Sequence, residues 1–349
     1  MENLGLKDYY SGKRVLVTGT TGFKGSWLAI WLKTLGAEVY GLSLKPTPGN
    51  ENFSKTNLDE VINQSYIDIR DIKNLKSKVD EINPHCIFHL AAQPIVYDSY
   101  IDPINNYTTN VIGTLNIFES IKNLNSLDFI INVTSDKCYR NIEKEAGYKE
   151  DDKLGGLDPY SCSKSCAELI SQSYIYNIYK DSNFGIANVR AGNVIGGGDL
   201  SNKRLFTDII NAIRLNRSLS IRNPNATRPW QYVLEPLHGY LKLGKKLFED
   251  KKGFSGEWNF GPNKINNVSV QQVLKFVKTK HPSLKIEYKD SKFHEAKLLY
   301  LDSNKAKELL GWETKLGIKE TINYTLEDYS YSNNLIEERI KRIDNYEKL

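Results

Sequence analysis

The sequence predicts an α/β fold: a Rossmann-type doubly wound parallel sheet with a smaller C-terminal substrate-binding domain. Three observations predict it. Short apolar, β-branched segments alternate with segments of helical period through the first half, the rhythm of a parallel sheet covered on both faces. A glycine-rich stretch sits between the first apolar run and the first helical pattern. After about Gly192 the alternation breaks up, with Gly196, Gly197 and Gly198 in a row and loops richer in basic, aromatic and proline residues.

The elements follow in order. Arg14 to Thr18 (RVLVT) reads as the first strand, Ser26 to Leu35 as a helix ended by Gly36, and Glu38 to Leu42 as the second strand. Ser65 to Ile69 is a short third strand, and Ile72 to Ile82 a polar helix stopped by Pro84. Cys86 to Leu90 is the fourth strand, with a helix from about Asn105 to Leu124. Phe129 to Thr134 is another strand, Ser161 to Lys180 a long helix, and Phe184 to Val189 a further strand. Residues 1–190 are therefore assigned to the dinucleotide-binding domain and 191–349 to the substrate-binding domain, with segments near 231–262 returning to the first.

Composition excludes several classes. Hydrophobic residues make up 40% and charged residues 26% of the 349, an ordinary globular balance. The net charge of +5 arises from 47 basic and 42 acidic residues scattered along the chain, too little for a nucleic-acid footprint but suited to an anionic small substrate. No apolar run is long enough to span a membrane, and the polar segment Met1 to Ser11 does not resemble an export signal. Cys86, Cys138, Cys162 and Cys166 form no disulfide framework in a chain this long, which fits a reducing cytoplasm. Cys162 and Cys166 are four apart but lack companion ligands at metal spacing, so no metal is expected.

The local signal with the most chemistry is Gly19-Thr20-Thr21-Gly22-Phe23-Lys24-Gly25, between a strand and a helix. Gly19 permits the tight turn, Gly22 lets the backbone approach a pyrophosphate, and Gly25 lets helix and strand pack closely. The following helix offers its amides and positive dipole end to the phosphates. One feature departs from the usual NAD pattern: the second strand ends in Leu42-Ser43-Leu44-Lys45, with no carboxylate for the ribose hydroxyls. Lys45 suits a 2′-phosphate, so NAD and NADP both stay open on this feature.

Tyr160-Ser161-Cys162-Ser163-Lys164 places a tyrosine and a lysine one helical turn apart on one face. A phenol titrates near ~10 and is a poor base at neutral pH, but a neighbouring ammonium stabilises its phenolate. Such a pair can take a proton from a sugar hydroxyl while hydride leaves for a nicotinamide.

The Gly-x-x-Gly-x-x-Gly spacing resembles that of the extended short-chain dehydrogenase/reductase superfamily. That resemblance implies that Asp68 and Ile69 contact adenine, that Leu90, Ala91 and Ala92 line the cofactor, and that Gly19, Thr21, Gly22, Phe23, Lys24 and Gly25, with Tyr160 and Lys164, hold it. It further implies that Ser135 completes a triad with Tyr160 and Lys164. Nucleotide-sugar dehydratases generally place Asp-Glu after this hydroxyl, whereas this chain has Asp136-Lys137.

Asp136-Lys137, with Gln93-Pro94 after the alanines, resembles the CDP-glucose 4,6-dehydratases, as do Gly22 to Leu28, Val189 to Asp199, Arg228 to Gln231 and Trp258 to Pro262. The resemblance spans about residues 10 to 335. It implies bound NAD, a homodimer, and CDP-glucose or a related nucleotide sugar contacted by Gln93 and Asn193; Arg204 and Arg228 are candidates for its diphosphate, since a guanidinium binds phosphate oxygens bidentately. Asp136 is then the acid that protonates the departing 6-hydroxyl and Lys137 the base. Each favours the charged form of the other when paired, so the division of labour between them stays open. A nucleotide-sugar 4-epimerase, a dehydratase of UDP-, GDP- or dTDP-sugars, and a non-catalytic dinucleotide sensor are the competing readings. Loss of Asp136 discriminates, since an epimerase does not need it.

Overall fold

The computed structural model describes residues 2–47, 51–201, 204–289, 298–329 and 334–349. Seven strands form the central sheet and are numbered here in chain order: β1 (Arg14–Thr18), β2 (Glu38–Ser43), β3 (Asn63–Tyr66), β4 (Cys86–His89), β5 (Phe129–Val133), β6 (Gly185–Arg190) and β7 (Gly256–Asn259). Their spatial order is β7-β6-β5-β4-β1-β2-β3, and all six pairings are parallel. The expected doubly wound parallel sheet is therefore present, with β1 next to its centre and the order reversing between β1 and β4.

Alternation of side chains along each strand builds two cores. Val15, Val17, Phe88, Phe129, Ile131 and Val189 face one layer, which holds Trp27, Trp31, Leu237 and Tyr240. Leu16, Ile87, Ile130 and Ile186 face the other, with Leu75, Val79, Ile117 and Phe118. Because both faces are dry, these strands read as unbroken apolar runs. The apolar segment after Gln231 becomes the helix Leu234–Glu249, whose Leu237 and Tyr240 belong to the first core. A third core gathers Phe206, Ile209, Trp230, Val273, Val277, Ile322 and Tyr329 around the later helices.

Three elements differ from the sequence expectation. The third strand ends at Tyr66, not Ile69. Asp68 accepts the Arg70 amide at 2.9 Å, a local turn that draws the chain off the sheet. The helix expected over 105–124 is the helix Pro103–Tyr107, a wide turn Thr108–Ile112 and the helix Gly113–Ser120. Thr108 and Thr114 hydroxyls donate back to the Ile104 and Asn110 carbonyl oxygens there, which loosens the regular ladder. The helix expected over 161–180 runs Pro159–Ser173 and ends in a second wide turn, Tyr174–Ile178. It begins where Asp158 accepts the Ser161 amide and Pro159 takes the first position.

Candidate active site

The site lies at the carboxyl ends of the strands, where β1 and β4 diverge. Gly19 has φ +77° there, and a Cβ on it would fall 2.8 Å from the Ala91 amide nitrogen. Gly25 is held even closer, its hypothetical Cβ 2.1 Å from the Gly19 carbonyl oxygen. The helix Phe23–Thr34 thus starts directly on the turn, with Gly22 as its cap and no side chain bonded to its first amides. No acidic residue stands in that first turn. Such an end suits a pyrophosphate, and the cradle fits a dinucleotide.

Around it, the Thr18 hydroxyl accepts the amides of Leu90 and Ala91, both at 3.1 Å, and so ties β4 to β1. Ala92 follows, partly buried. Phe23 packs on the first core, and the Thr21 hydroxyl donates to the Leu44 carbonyl oxygen at 3.2 Å. Asp68 is engaged by the Arg70 guanidinium, which lowers its pKa, and Arg70 also reaches Asn105 at 2.9 Å. Ile69 is buried against Gly113. At the end of β2 stands a neutral network: Gln64 Nε2 donates to the Ser43 hydroxyl at 3.0 Å, and Thr20 donates to Gln64 Oε1 at 2.7 Å.

Beyond β5 the chain turns sharply through Asp136–Cys138. The Ser135 hydroxyl accepts the Lys137 amide at 3.2 Å and donates to Asp136 Oδ1 at 3.0 Å. Ser135, Asp136, Tyr160 and Lys164 are all buried. Burial pushes the Tyr160 phenol up to about 12, against the Ser135 hydroxyl and the Arg204 charge, which favour the phenolate. Burial also lowers Lys164 to about 8, partly offset by Glu168, and its Nζ donates to the Val133 carbonyl oxygen at 3.4 Å. Lys24 is lowered to about 7 by burial and by the charges of Lys164 and Arg204, with Asp136 opposing.

The structure thus brings Ser135, Asp136, Tyr160, Lys164, Lys24 and Arg204 into one electrostatic neighbourhood. Arg204 is anchored to Asp199 at 2.8 Å. Lys137 is partly buried, and no ion pair joins it to Asp136 among the described residues. Asp136 Oδ2 is buried with no hydrogen-bond partner among them. The Gln93 main chain exchanges two bonds with the Asn110 side chain and Gln93 Nε2 donates to the Ile95 carbonyl oxygen at 3.2 Å, while its buried Oε1 is similarly unpartnered. Asn193 adopts φ +50° just past β6. Arg228 sits on a separate short strand, Thr227–Pro229, donating to the Thr227 carbonyl oxygen at 2.8 Å.

Other residues shape the site without standing out in the sequence. Glu168 accepts the Thr134 hydroxyl and two Arg190 bonds, beneath the turn that carries Ser135 and Asp136. Its spacing four after Lys164, on the same helical face, is the one signal that points to it. His89, between the Thr18 and Thr114 hydroxyls, is packed and kept neutral by burial.

Comparison with known proteins places this site in context. The family model described as GDP-mannose 4,6 dehydratase matches residues 16–325. CDP-glucose 4,6-dehydratase of Salmonella typhimurium is 42% identical over 323 residues, 90% of each chain. UDP-glucose 4-epimerase of Mycolicibacterium smegmatis is 26% identical over 321 residues, covering 90% of this chain and 97% of that one. Among solved structures, the epimerase Mth375 of Methanothermobacter thermautotrophicus superposes with a TM-score of 0.81 at 23% identity, over 99% and 98% of the two chains. MoeE5 in complex with UDP-glucose and NAD gives 0.76 at 22% identity, over 90% and 97%. With its sheet order, glycine turn and Tyr160/Lys164 pair on the same frame, the chain belongs to the GDP-mannose 4,6-dehydratase family of nucleotide-sugar enzymes.

Proposed function

We propose that the protein is a CDP-glucose 4,6-dehydratase, converting CDP-glucose to CDP-4-dehydro-6-deoxy-glucose with NAD as its bound cofactor. The observation that carries this is the buried Asp136, next to Ser135 on the turn after β5, with Oδ2 unpartnered among the described residues. A 4-epimerase needs the Tyr160/Lys164 pair but has no task for such a carboxyl group. The 42% identity to the Salmonella typhimurium enzyme supports the same reading.

Gly19, Gly22 and Gly25 would hold the pyrophosphate at the helix start, with Thr21, Phe23 and Lys24 beside it. Asp68, Ile69, Leu90, Ala91 and Ala92 line the remaining length. A bound NAD would supply the reversible hydride acceptor, for hydride taken from C4 and returned to C6. Tyr160 takes the proton of the 4-hydroxyl as the C4–H bond breaks, with Ser135 beside it, Lys164 one turn away and the Arg204 charge partly opposing the burial that raises the phenol. The resulting ketone acidifies C5. Lys137 takes the C5 proton, the C6–O bond breaks, and the departing oxygen leaves as water with the Asp136 proton. A proton then returns to C5, so the sugar has lost one water and is otherwise redox-neutral. Ser135 engages Asp136 Oδ1, and no ion pair joins Lys137 to Asp136 among the described residues.

Gln93, Asn193, Arg204 and Arg228 take the nucleotide-sugar side, the guanidiniums suiting its phosphates. The chain works as a homodimer through the segments near residues 105 to 124 and 161 to 180, which leave Ile112, Leu169, Tyr176 and Ile178 exposed. The dinucleotide-binding and substrate-binding domains meet near residue 190, and the helix Leu234–Glu249 and the strand Gly256–Asn259 rejoin the first. Four free thiols accord with a reducing cytoplasm.

The test is incubation of purified protein with CDP-, UDP-, GDP- and dTDP-linked hexoses, read by mass spectrometry for loss of one water. Loss from CDP-glucose, abolished in Asp136→Ala, is the expected result. Loss from a different nucleotide sugar alone overturns the substrate, and loss from none overturns the dehydratase.

A further inference from the structure

Gly192 lies just past the end of β6, opposite the catalytic turn. A side chain has no room there. A Cβ built on its backbone falls 1.9 Å from Asp136 Oδ2, 2.2 Å from Cγ and 2.8 Å from Oδ1. All three nearest atoms belong to one carboxyl group, which therefore rests against the bare Cα.

The Gly192 backbone cannot retreat cheaply. The Gly192 carbonyl oxygen accepts Gln231 Nε2 at 3.1 Å, and the same nitrogen donates to the Phe260 carbonyl oxygen at 2.9 Å. The next carbonyl, that of Asn193, accepts the Gln231 amide at 3.3 Å. Asn193 itself holds φ +50°, a conformation that leaves the loop little freedom. On the other side, Asp136 is pinned by the Ser135 hydroxyl and 2% exposed. The softest response to a methyl group at 192 is rotation of the Asp136 side chain away from Ser135.

We propose that Gly192 is a positioning residue for Asp136, and that its missing side chain commits the enzyme to dehydration once C4 is oxidised. The inference rests on the dehydratase reading above. None of the three atoms nearest the space that Gly192 leaves belongs to Ser135, Tyr160 or Lys164, so oxidation at C4 is separable from loss of water. With Asp136 turned away, the 4-ketone still forms and the C5 proton still exchanges. The C6–O bond stays intact, because no acid reaches the 6-hydroxyl. Reversal of the C4 oxidation then regenerates the hexose, as CDP-glucose or its C4 epimer, with no atoms lost.

The experiment compares the wild type with Gly192→Ala in deuterated buffer. In Gly192→Ala, water loss should fall by at least about tenfold while CDP-glucose recovered from the reaction gains deuterium at C5. A merely structural defect would lower both together. A melting-temperature cycle provides a second readout: Gly192→Ala should melt below the wild type, whereas the same change made in Asp136→Ala should cost nothing, since the carboxyl group it strikes is gone. Water loss in Gly192→Ala within about twofold of wild type overturns the proposal. So do equal losses of both activities, or a double variant that melts as far below Asp136→Ala as Gly192→Ala melts below wild type. If the wild type removes no water from CDP-glucose, the dehydratase reading fails instead, and the melting cycle still decides whether Gly192 and Asp136 compete for the same space.

Discussion

Glu168 and Arg190 meet through two parallel hydrogen bonds, Nε to Oε1 at 2.9 Å and Nη2 to Oε2 at 2.8 Å, with neither side chain exposed. Arg190 also donates to the Tyr139 hydroxyl at 2.5 Å and to the Glu150 carbonyl oxygen at 2.9 Å. The pair thus joins the helix that carries Tyr160 and Lys164 to β6 and to the loop after the Asp136–Cys138 turn. Removing one charge leaves the other buried and unpaired. Glu168→Gln should lower unfolding stability by about 3–5 kcal/mol, measured by urea denaturation.

Tyr160 should be indispensable to turnover but not to binding. Tyr160→Phe keeps the ring and removes only the group that accepts the proton. We expect kcat to fall by ~10²–10⁴, with little change in the affinity for CDP-glucose measured by calorimetry. A matched loss of affinity would mean that the hydroxyl serves the ground state instead.

The turn at Gly19 tolerates no side chain. Its φ of +77° and the Ala91 backbone both oppose a Cβ. Gly19→Ala should cost about 1–3 kcal/mol in strain and weaken dinucleotide binding, which fluorescence titration with NAD would record.

Glu235 gives stability a pH dependence. It is buried on the helix Leu234–Glu249, accepting the Leu316 amide at 2.8 Å and the Tyr346 hydroxyl at 2.6 Å. Burial pushes it up to about 7, against those bonds. An unfolded glutamate titrates near ~4.3. Between these values the folded chain holds the extra proton, so this group's contribution is full at the acid end and is lost as pH rises through about 7. The change amounts to about 3–4 kcal/mol. Glu235→Gln should therefore flatten the difference in melting temperature between acidic and mildly alkaline buffer, and an unchanged difference would exclude this carboxyl as its source.

Much of the frame was legible because it is local. Val15, Leu16 and Val17 face alternate cores, so β1 had to be apolar throughout, and the same holds for β4 and β5. Tyr160 and Lys164 share a face because four residues nearly complete a helical turn. What misled was also local. Asp68 forms a turn with Arg70 where the strand pattern continues in sequence, and threonine hydroxyls interrupt a helix whose apolar spacing runs on. Lys137 could be placed beside Asp136 by adjacency alone, yet adjacency did not tell whether the two would pair.

The sequence by itself determined the sheet, the glycine turn that opens its first helix, and the helical phase of the Tyr160/Lys164 pair. Each of these depends on residues within a few positions of one another, where period and backbone freedom act directly. Only the tertiary structure decided that Ser135, not Lys137, engages Asp136, that Glu168 spans to Arg190, and that Gly192 leaves the space Asp136 occupies. The last two join elements distant along the chain, and the first is settled by how the turn packs. They arise from burial, which forces polar groups to find partners and packs side chains against whatever backbone lies opposite.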